Sequence, residues 1–255
     1  MTDFIGQQLI IKELSALYIE GSTDAILLKG KYGHGKTTLA EWYASLYGKF
    51  LYYDIPPKNL DAIPVEFGTV VIDEIHRIGA NEEMLYSLIA NRRIIMCTTD
   101  TANLSDALKS RCVVLQLSNY TLSEIVQIIQ ISMDISVDKA LEIAKRSNLN
   151  PRVAIMMTKK IRRLVNIDKL PFNLNNMLRQ FDELGIDKYG LDDRHRAYLA
   201  LLSNADRPLG LRTVSITLQL SEDTVRGEIE PLLLRLRKII ITPRGRQLCQ
   251  QTYNS

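Results

Sequence analysis

The sequence predicts an α/β protein: a parallel sheet built around a phosphate loop, then a small helical domain, then a C-terminal winged helix. Three observations predict it. Short apolar runs alternate with helical patterns up to residue 117, as buried parallel strands covered on both faces require. GKYGHGKT, Gly30 to Thr37, fits the G-x-x-x-x-G-K-[ST] pattern between one such run and a helix. The chain then closes on three short helical patterns and the β-favouring stretch IIITPRGRQL, whose Pro-Arg-Gly-Arg marks a turn.

Residues 8–20 read as a helix, AILLKG as a buried strand ending at Gly30, and TTLAEWYASLYG as a helix closed by Gly48. KFLYYDI, GTVVIDE, RRIIMCTT and CVVLQL are further strands separated by helical segments. Strand patterns then cease. TLSEIVQIIQIS carries Thr121 with Glu124 three residues on, the signature of a capping box. VDKALEIAKRSN, NPRVAIMMTKKIRRLVN and LNNMLRQFDELG continue as amphipathic helices, and DKYGLDD reads as a linker. Three regions result: a sheet domain over 1–117, a helical domain over 118–187 and a winged helix over 188–255, comprising DRHRAYLALLS, LRTVSITLQL, SEDTVRGEIEPLLLRL and the hairpin.

At 46% hydrophobic and 24% charged residues, the composition is that of a soluble globular protein. No apolar run approaches the ~18 residues of a membrane span, and the N-terminus lacks a signal-peptide pattern. Three widely spaced cysteines, Cys97, Cys112 and Cys249, fit a reducing cytoplasm and exclude a disulfide framework or a cysteine-based zinc site. Charge is uneven: net −3 over 1–117, +2 over 118–187 and +4 over 188–255. The positive end is the one suited to a polyanion.

The phosphate loop implies ATP-type chemistry. Gly33 and Gly35 let the main chain approach phosphates, and backbone N–H groups from Gly33 through His34 to Thr38 point at them. Lys36 supplies a positive charge and the Thr37 hydroxyl reaches Mg2+. VVIDEIH is an apolar strand ending in two acids. Asp73 can hold the Mg2+ and Glu74 can deprotonate an attacking water. Thr98 and Thr99 end the next strand pattern and can hold that water, and Arg111 in ALKSRCVV can reach a neighbouring subunit's γ-phosphate. In NPRVA, Asn150 caps a helix, Pro151 takes its first position, and Arg152 follows where the dipole disfavours a cation, which implies an anionic partner, the nucleotide.

Together these residues resemble the AAA+ ATPases, and within them the RuvB branch-migration helicase family. FIGQ, GKTTLA, IDEIHRI, the double threonine, NPRVA and YGLDDRHRAYL…LGLRTV…TPRGR follow in that family's order over nearly the whole chain. The resemblance implies that Phe4, Ile5 and Tyr120 line the nucleotide pocket with the phosphate loop. It makes Lys36, Thr37 and Thr38 the phosphate and Mg2+ residues, Asp73 and Glu74 the acidic pair, and Thr99 the sensor of the γ-phosphate. Arg111 resembles the finger acting across a subunit interface and Arg152 the second sensor, while Arg226, Arg244 and Arg246 fall on the DNA-contacting module. The family carries a β-hairpin, which docks its RuvA partner, between the acidic and sensor strands. Here only IHRIGANEEMLYSLIANRR separates them, enough for a helix alone. The family's extension ahead of FIGQ is also missing.

The expectation is a cytoplasmic, ATP-driven DNA motor that forms a hexameric ring or spiral and uses ATP and Mg2+. It acts on branched, forked or duplex DNA, with a second replication or recombination protein as a further partner. The alternative is an AAA+ loader that places another ring on DNA, because SRC at 110–112 resembles the clamp-loader motif around the same arginine.

Overall fold

The computed structural model describes residues 4–64 and 66–249; residues 1–3 and 250–255, at the outer limits of the first and third regions, lie outside it. The chain forms two compact units, 1–120 and 121–255.

The first unit contains α1 (Gln8–Ile19), β1 (Ala25–Lys29), α2 (Lys36–Ser45), β2 (Phe50–Tyr53), β3 (Thr69–Ile72), α3 (Met84–Asn91), β4 (Arg93–Thr98), α4 (Asp106–Lys109) and β5 (Cys112–Gln116). The five strands form one sheet in the order β2-β3-β4-β1-β5, and every pairing is parallel. Period-two alternation divides the apolar side chains between the two faces. Leu27, Val70, Ile72, Ile94 and Met96 enter one core with α3, whereas Ile26, Leu28, Val71, Ile95 and Cys97 enter the other with α1 and α2. The order matters for chemistry. Because β4 lies between β1 and β3, the carboxyl ends of the loop strand, the sensor strand and the acidic strand reach the same sheet edge, where ligands of such sheets bind.

Between β3 and β4 the chain makes two 3-10 turns, Ile75–Arg77 and Gly79–Glu83, and then α3. The expected helix is there, and residues 73–92 contain no strand.

The second unit opens on four helices: α5 (Leu122–Met133), α6 (Val137–Arg146), α7 (Pro151–Ile167) and α8 (Leu174–Glu183). The capping box on α5 is formed, with Thr121 Oγ1 accepting from Glu124 N and Glu124 Oε2 accepting from Thr121 N. Asn150 Oδ1 accepts from Val153 N and so caps α7. The segment read as a linker is tightly folded rather than loose. Asp187 Oδ1 accepts from the amides of Tyr189 and Leu191, and Gly190 at φ +91 lies so near Arg146 that an added Cβ would stand 2.4 Å from its carbonyl oxygen.

The winged helix follows as α9 (Asp193–Ser203), α10 (Leu211–Leu218), α11 (Glu222–Thr224), α12 (Glu230–Arg235) and the antiparallel hairpin β6 (Ile239–Thr242) and β7 (Gly245–Leu248). Its core gathers Leu191, Tyr198, Val214, Val225, Ile229 and Leu233. α11 and α12 are joined by a π turn over Val225–Ile229, which divides the single helix expected from the sequence. Pro231 explains it: with no N–H it cannot bond the carbonyl four residues back, and Glu230 N instead reaches Val225 O. Among the described residues, no helix is long and apolar enough to cross a membrane.

Candidate active site

β1 ends at Lys29 and the chain turns through Gly33 (φ +75) and Gly35 (φ +84), left-handed conformations that favour glycine, before α2 begins. A Cβ on Gly35 would lie 3.2 Å from the Phe4 ring and 3.4 Å from the Tyr120 hydroxyl. Phe4 and Tyr120 are therefore drawn against the loop from opposite ends of the unit, and the Tyr120 hydroxyl donates to the His34 carbonyl at 3.1 Å. The His34 ring packs 5.8 Å from that of Tyr120, and burial lowers its pKa, favouring the neutral ring. Ile5, half-buried, belongs to the same FIGQ strand of chain. Gln7 anchors it, since its amide donates to Ser118 O at 2.9 Å and accepts from Ser118 N at 2.8 Å.

Lys36 is buried and its ammonium donates to the carbonyls of Gly30 (3.0 Å) and Lys31 (3.1 Å), so it lies along the loop. Burial lowers its pKa, although Asp73 and Glu74 pull the other way. The Thr37 hydroxyl donates to Asp73 Oδ2 at 2.5 Å, and the other Asp73 oxygen accepts from Glu74 N at 2.8 Å. Thr38 follows in the first turn of α2, whose unbonded amides and dipole favour phosphate.

Glu74 has φ +47, a left-handed conformation uncommon for a residue with a side chain. It turns the chain out of β3 into the Ile75–Arg77 turn and brings His76 back to the site. His76 Nδ1 lies 3.4 Å from Glu74 Oε2 and 3.2 Å from Thr98 Oγ1. Thr98 is fully buried and committed, donating to Asp100 O and accepting from Asp100 N. Thr99, one residue on, is half-buried and makes no hydrogen bond among the described residues. The double threonine thus divides its work, Thr98 holding the strand end while Thr99 keeps an uncommitted hydroxyl.

Arg111 is exposed after α4, with Nη1 donating to Ala107 O at 2.7 Å and its guanidinium 4.6 Å over the Tyr86 ring. Arg152 is exposed at the second position of α7, in the other unit. Arg226 and Arg244 are exposed on the winged helix. Arg246 departs from expectation. It does not project from the wing; its Nε donates to the buried Glu230 at 2.8 Å, and Glu230 also accepts from Tyr198. A buried carboxylate needs a cation, and Arg246 supplies it from β7.

Sequence reasoning missed His76, Tyr86 and Glu230. His76 stood inside the IDEIHR string, and the strand-end acid beside it was the available signal. Tyr86 and Glu230 gave none, because their partners lie 25 and 16 residues away.

A family model described as the RuvB C-terminal winged helix domain matches residues 188–255. The RuvB of Thermotoga maritima, a Holliday junction branch migration complex subunit, is 33% identical over 298 residues, covering 99% of this chain and 89% of its own. The chain belongs to the RuvB family. The subunit of the same description from Nitratiruptor sp. is 33% identical over 98% of this chain. The solved T. maritima RuvB Holliday junction branch migration motor superposes with a TM-score of 0.82 at 32% identity, covering 98% of this chain and 94% of that one. The Thermotoga alignment runs over more residues than this chain holds, so the relative carries insertions within the matched region. This RuvB-family chain is accordingly an AAA+ ATPase of the helicase type, and the motor reading prevails over the loader.

Proposed function

We propose that the chain is an ATP-driven motor that moves Holliday-junction DNA, working as a closed or spiral oligomer, expected to be a hexamer, in the cytoplasm. The observation that carries this reading is the Thr37–Asp73 contact with Glu74 beside it, at the sheet edge where the phosphate loop ends. A hydroxyl and a carboxylate in contact form an all-oxygen donor set suited to a hard divalent cation. Thr37 and Asp73 would hold Mg2+, which when bound would supply positive charge against the negative charge that builds up during phosphoryl transfer.

This chain's residues do the rest. Lys36 and the first amides of α2 hold the phosphates, with Phe4, Ile5, Gly33, His34, Gly35 and Tyr120 forming the pocket around them. Glu74 takes the proton of the attacking water, and Thr99 orients that water. Arg111 reaches the nucleotide of the neighbouring subunit, Arg152 acts as second sensor, and Arg226 and Arg244 grip DNA phosphates. Phosphate contacts give salt-sensitive, largely sequence-independent binding, which suits a motor that must travel. With no hairpin between β3 and β4, a RuvA-like protein would have to dock elsewhere.

The test is Glu74→Gln, assayed for ATP binding, ATP hydrolysis and branch migration of a synthetic four-way junction. Binding should persist while hydrolysis falls by ~10²–10⁴, the usual worth of a general base, and migration should stop. Hydrolysis and migration at the unaltered rate would sink the proposal.

A further inference from the structure

The segment joining the acidic strand to the sensor strand does more than connect them. Residues 79–91 run continuously from a 3-10 turn into α3, and two side chains one turn apart, Glu82 and Tyr86, both face the element that carries Arg111. α4 is a single turn, too short to hold itself in water, so its position depends on its cap. Ser105 is that cap: its hydroxyl accepts from Leu108 N at 3.1 Å. Glu82 in turn accepts from both the hydroxyl and the amide of Ser105, the amide at 3.1 Å. At the far end of α4 the Arg111 guanidinium lies over the Tyr86 ring, and Tyr86 itself packs against the sheet core. Glu82 therefore fixes the root of the arginine element and Tyr86 its tip.

We propose that Tyr86 is a positioning residue for Arg111, with Glu82 anchoring the element behind it; this rests on the reading of Arg111 as a finger acting across the subunit interface. A long exposed arginine samples many rotamers, and a finger left to do so is seldom aimed when a nucleotide arrives. Stacking fixes the plane of the guanidinium, and the Ala107 carbonyl takes one edge. Nε and Nη2 make no hydrogen bond among the described residues and remain to meet phosphate oxygens. The segment that holds the base Glu74 at its start thus holds, further along, the finger offered to the next site.

The test uses the full chain assembled on a four-way junction. Tyr86→Leu, which keeps the apolar packing and removes the ring, should lower kcat by ~10–100-fold at unchanged KM for ATP, the scale expected when a catalytic group is misplaced by about 1 Å. Tyr86→Phe should recover most of the rate, and Tyr86→Met should behave as Tyr86→Leu does. Mixing separates a trans role from damage to the subunit's own site. Tyr86→Leu subunits keep their base and Glu74→Gln subunits keep their finger, so the mixture should exceed the summed activity of the two alone. A Tyr86→Leu rate equal to the unaltered one, or no gain on mixing, overturns the inference. Arg111→Ala mixed with Glu74→Gln tells the two readings apart. A gain there without one for Tyr86→Leu removes only Tyr86, whereas no gain in either mixture removes the finger itself.

Discussion

Arg246 and Glu230 meet through Nε and Oε1 at 2.8 Å inside the winged helix, not on its surface. Glu230 is almost fully buried, and the Tyr198 hydroxyl donates to the same oxygen at 2.9 Å. The two arginines of the Pro-Arg-Gly-Arg turn are therefore unequal. Arg246→Ala would strand a buried carboxylate, and removing one partner of such a pair costs about 3–5 kcal/mol. The midpoint of urea unfolding of the winged-helix transition should drop accordingly. Arg244→Ala should leave that midpoint in place and reduce the salt slope of junction binding by about one. Equal stability of the two variants would refute the distinction.

The wing has a second fixed point. Leu209 and Arg246 exchange backbone hydrogen bonds at 3.0 and 2.8 Å, adding a bridge outside the two-stranded hairpin. That approach requires Gly245, whose φ is +133 and whose Cβ, if present, would stand 2.5 Å from the Leu209 carbonyl oxygen. Gly245→Ala must open the bridge or strain the turn. It should destabilise by ~1–3 kcal/mol, the range for strained backbone, and weaken junction binding as the wing shifts. Gly48→Ala serves as control, since it has positive φ but nothing within 4 Å. If both variants melt alike, crowding at Leu209 is not the cause.

His76 stands between the base and the sensor strand, 3.4 Å from Glu74 and 3.2 Å from Thr98. Thr98 Oγ1 already donates to Asp100 O, so it is the acceptor toward His76, whose Nδ1 carries the proton. The same proton lies within electrostatic reach of the Glu74 carboxylate and restrains it. His76→Ala should cut kcat about tenfold, equivalent to ~1.4 kcal/mol, while ATP affinity holds. His76→Asn, with a donor near the Nδ1 position, should restore part of the rate. A change in ATP affinity with kcat intact would show that His76 serves nucleotide binding instead.

Much of this site was legible because its parts are local or periodic. The loop, the acidic pair and the double threonine each end a strand, and parallel strands deliver their carboxyl ends to one edge whatever their order. Strand order itself was not legible: β4 entering between β1 and β3 leaves no mark on the runs themselves. The same limit hid Tyr86 and Glu230, whose partners are close in space alone. Arg246 was misread because a Pro-x-Gly turn shows that an arginine is near the surface, not which way its side chain leaves the strand. On β7 that direction is inward, toward Glu230. The π turn had its cause in plain view at Pro231, yet the apolar spacing on either side reads as one unbroken helix.

Asp192 gives the winged helix an acid-sensitive cap. Its Oδ1 accepts from His195 N at 3.1 Å and from His195 Nδ1 at 2.5 Å, closing the N-terminus of α9, and Oδ2 accepts from Arg194 Nε at 3.0 Å. Burial alone would raise the Asp192 pKa, but hydrogen bonds from the side chain and backbone of His195, with Arg194 behind them, outweigh it and hold the carboxyl well below the usual range. The unfolded carboxyl titrates at about 3.9, so in acid the unfolded chain binds the proton more readily than the folded one. Stability from this group is complete above about pH 5 and is lost as pH falls through 4 and below. Asp192→Asn keeps a cap acceptor and removes the charge. The variant should therefore be less stable than the unaltered chain at pH 7, and the gap should narrow as the pH falls to 3. Urea midpoints of the winged-helix transition at the two pH values measure this directly, and parallel pH profiles would eliminate Asp192 as a source of the acid sensitivity.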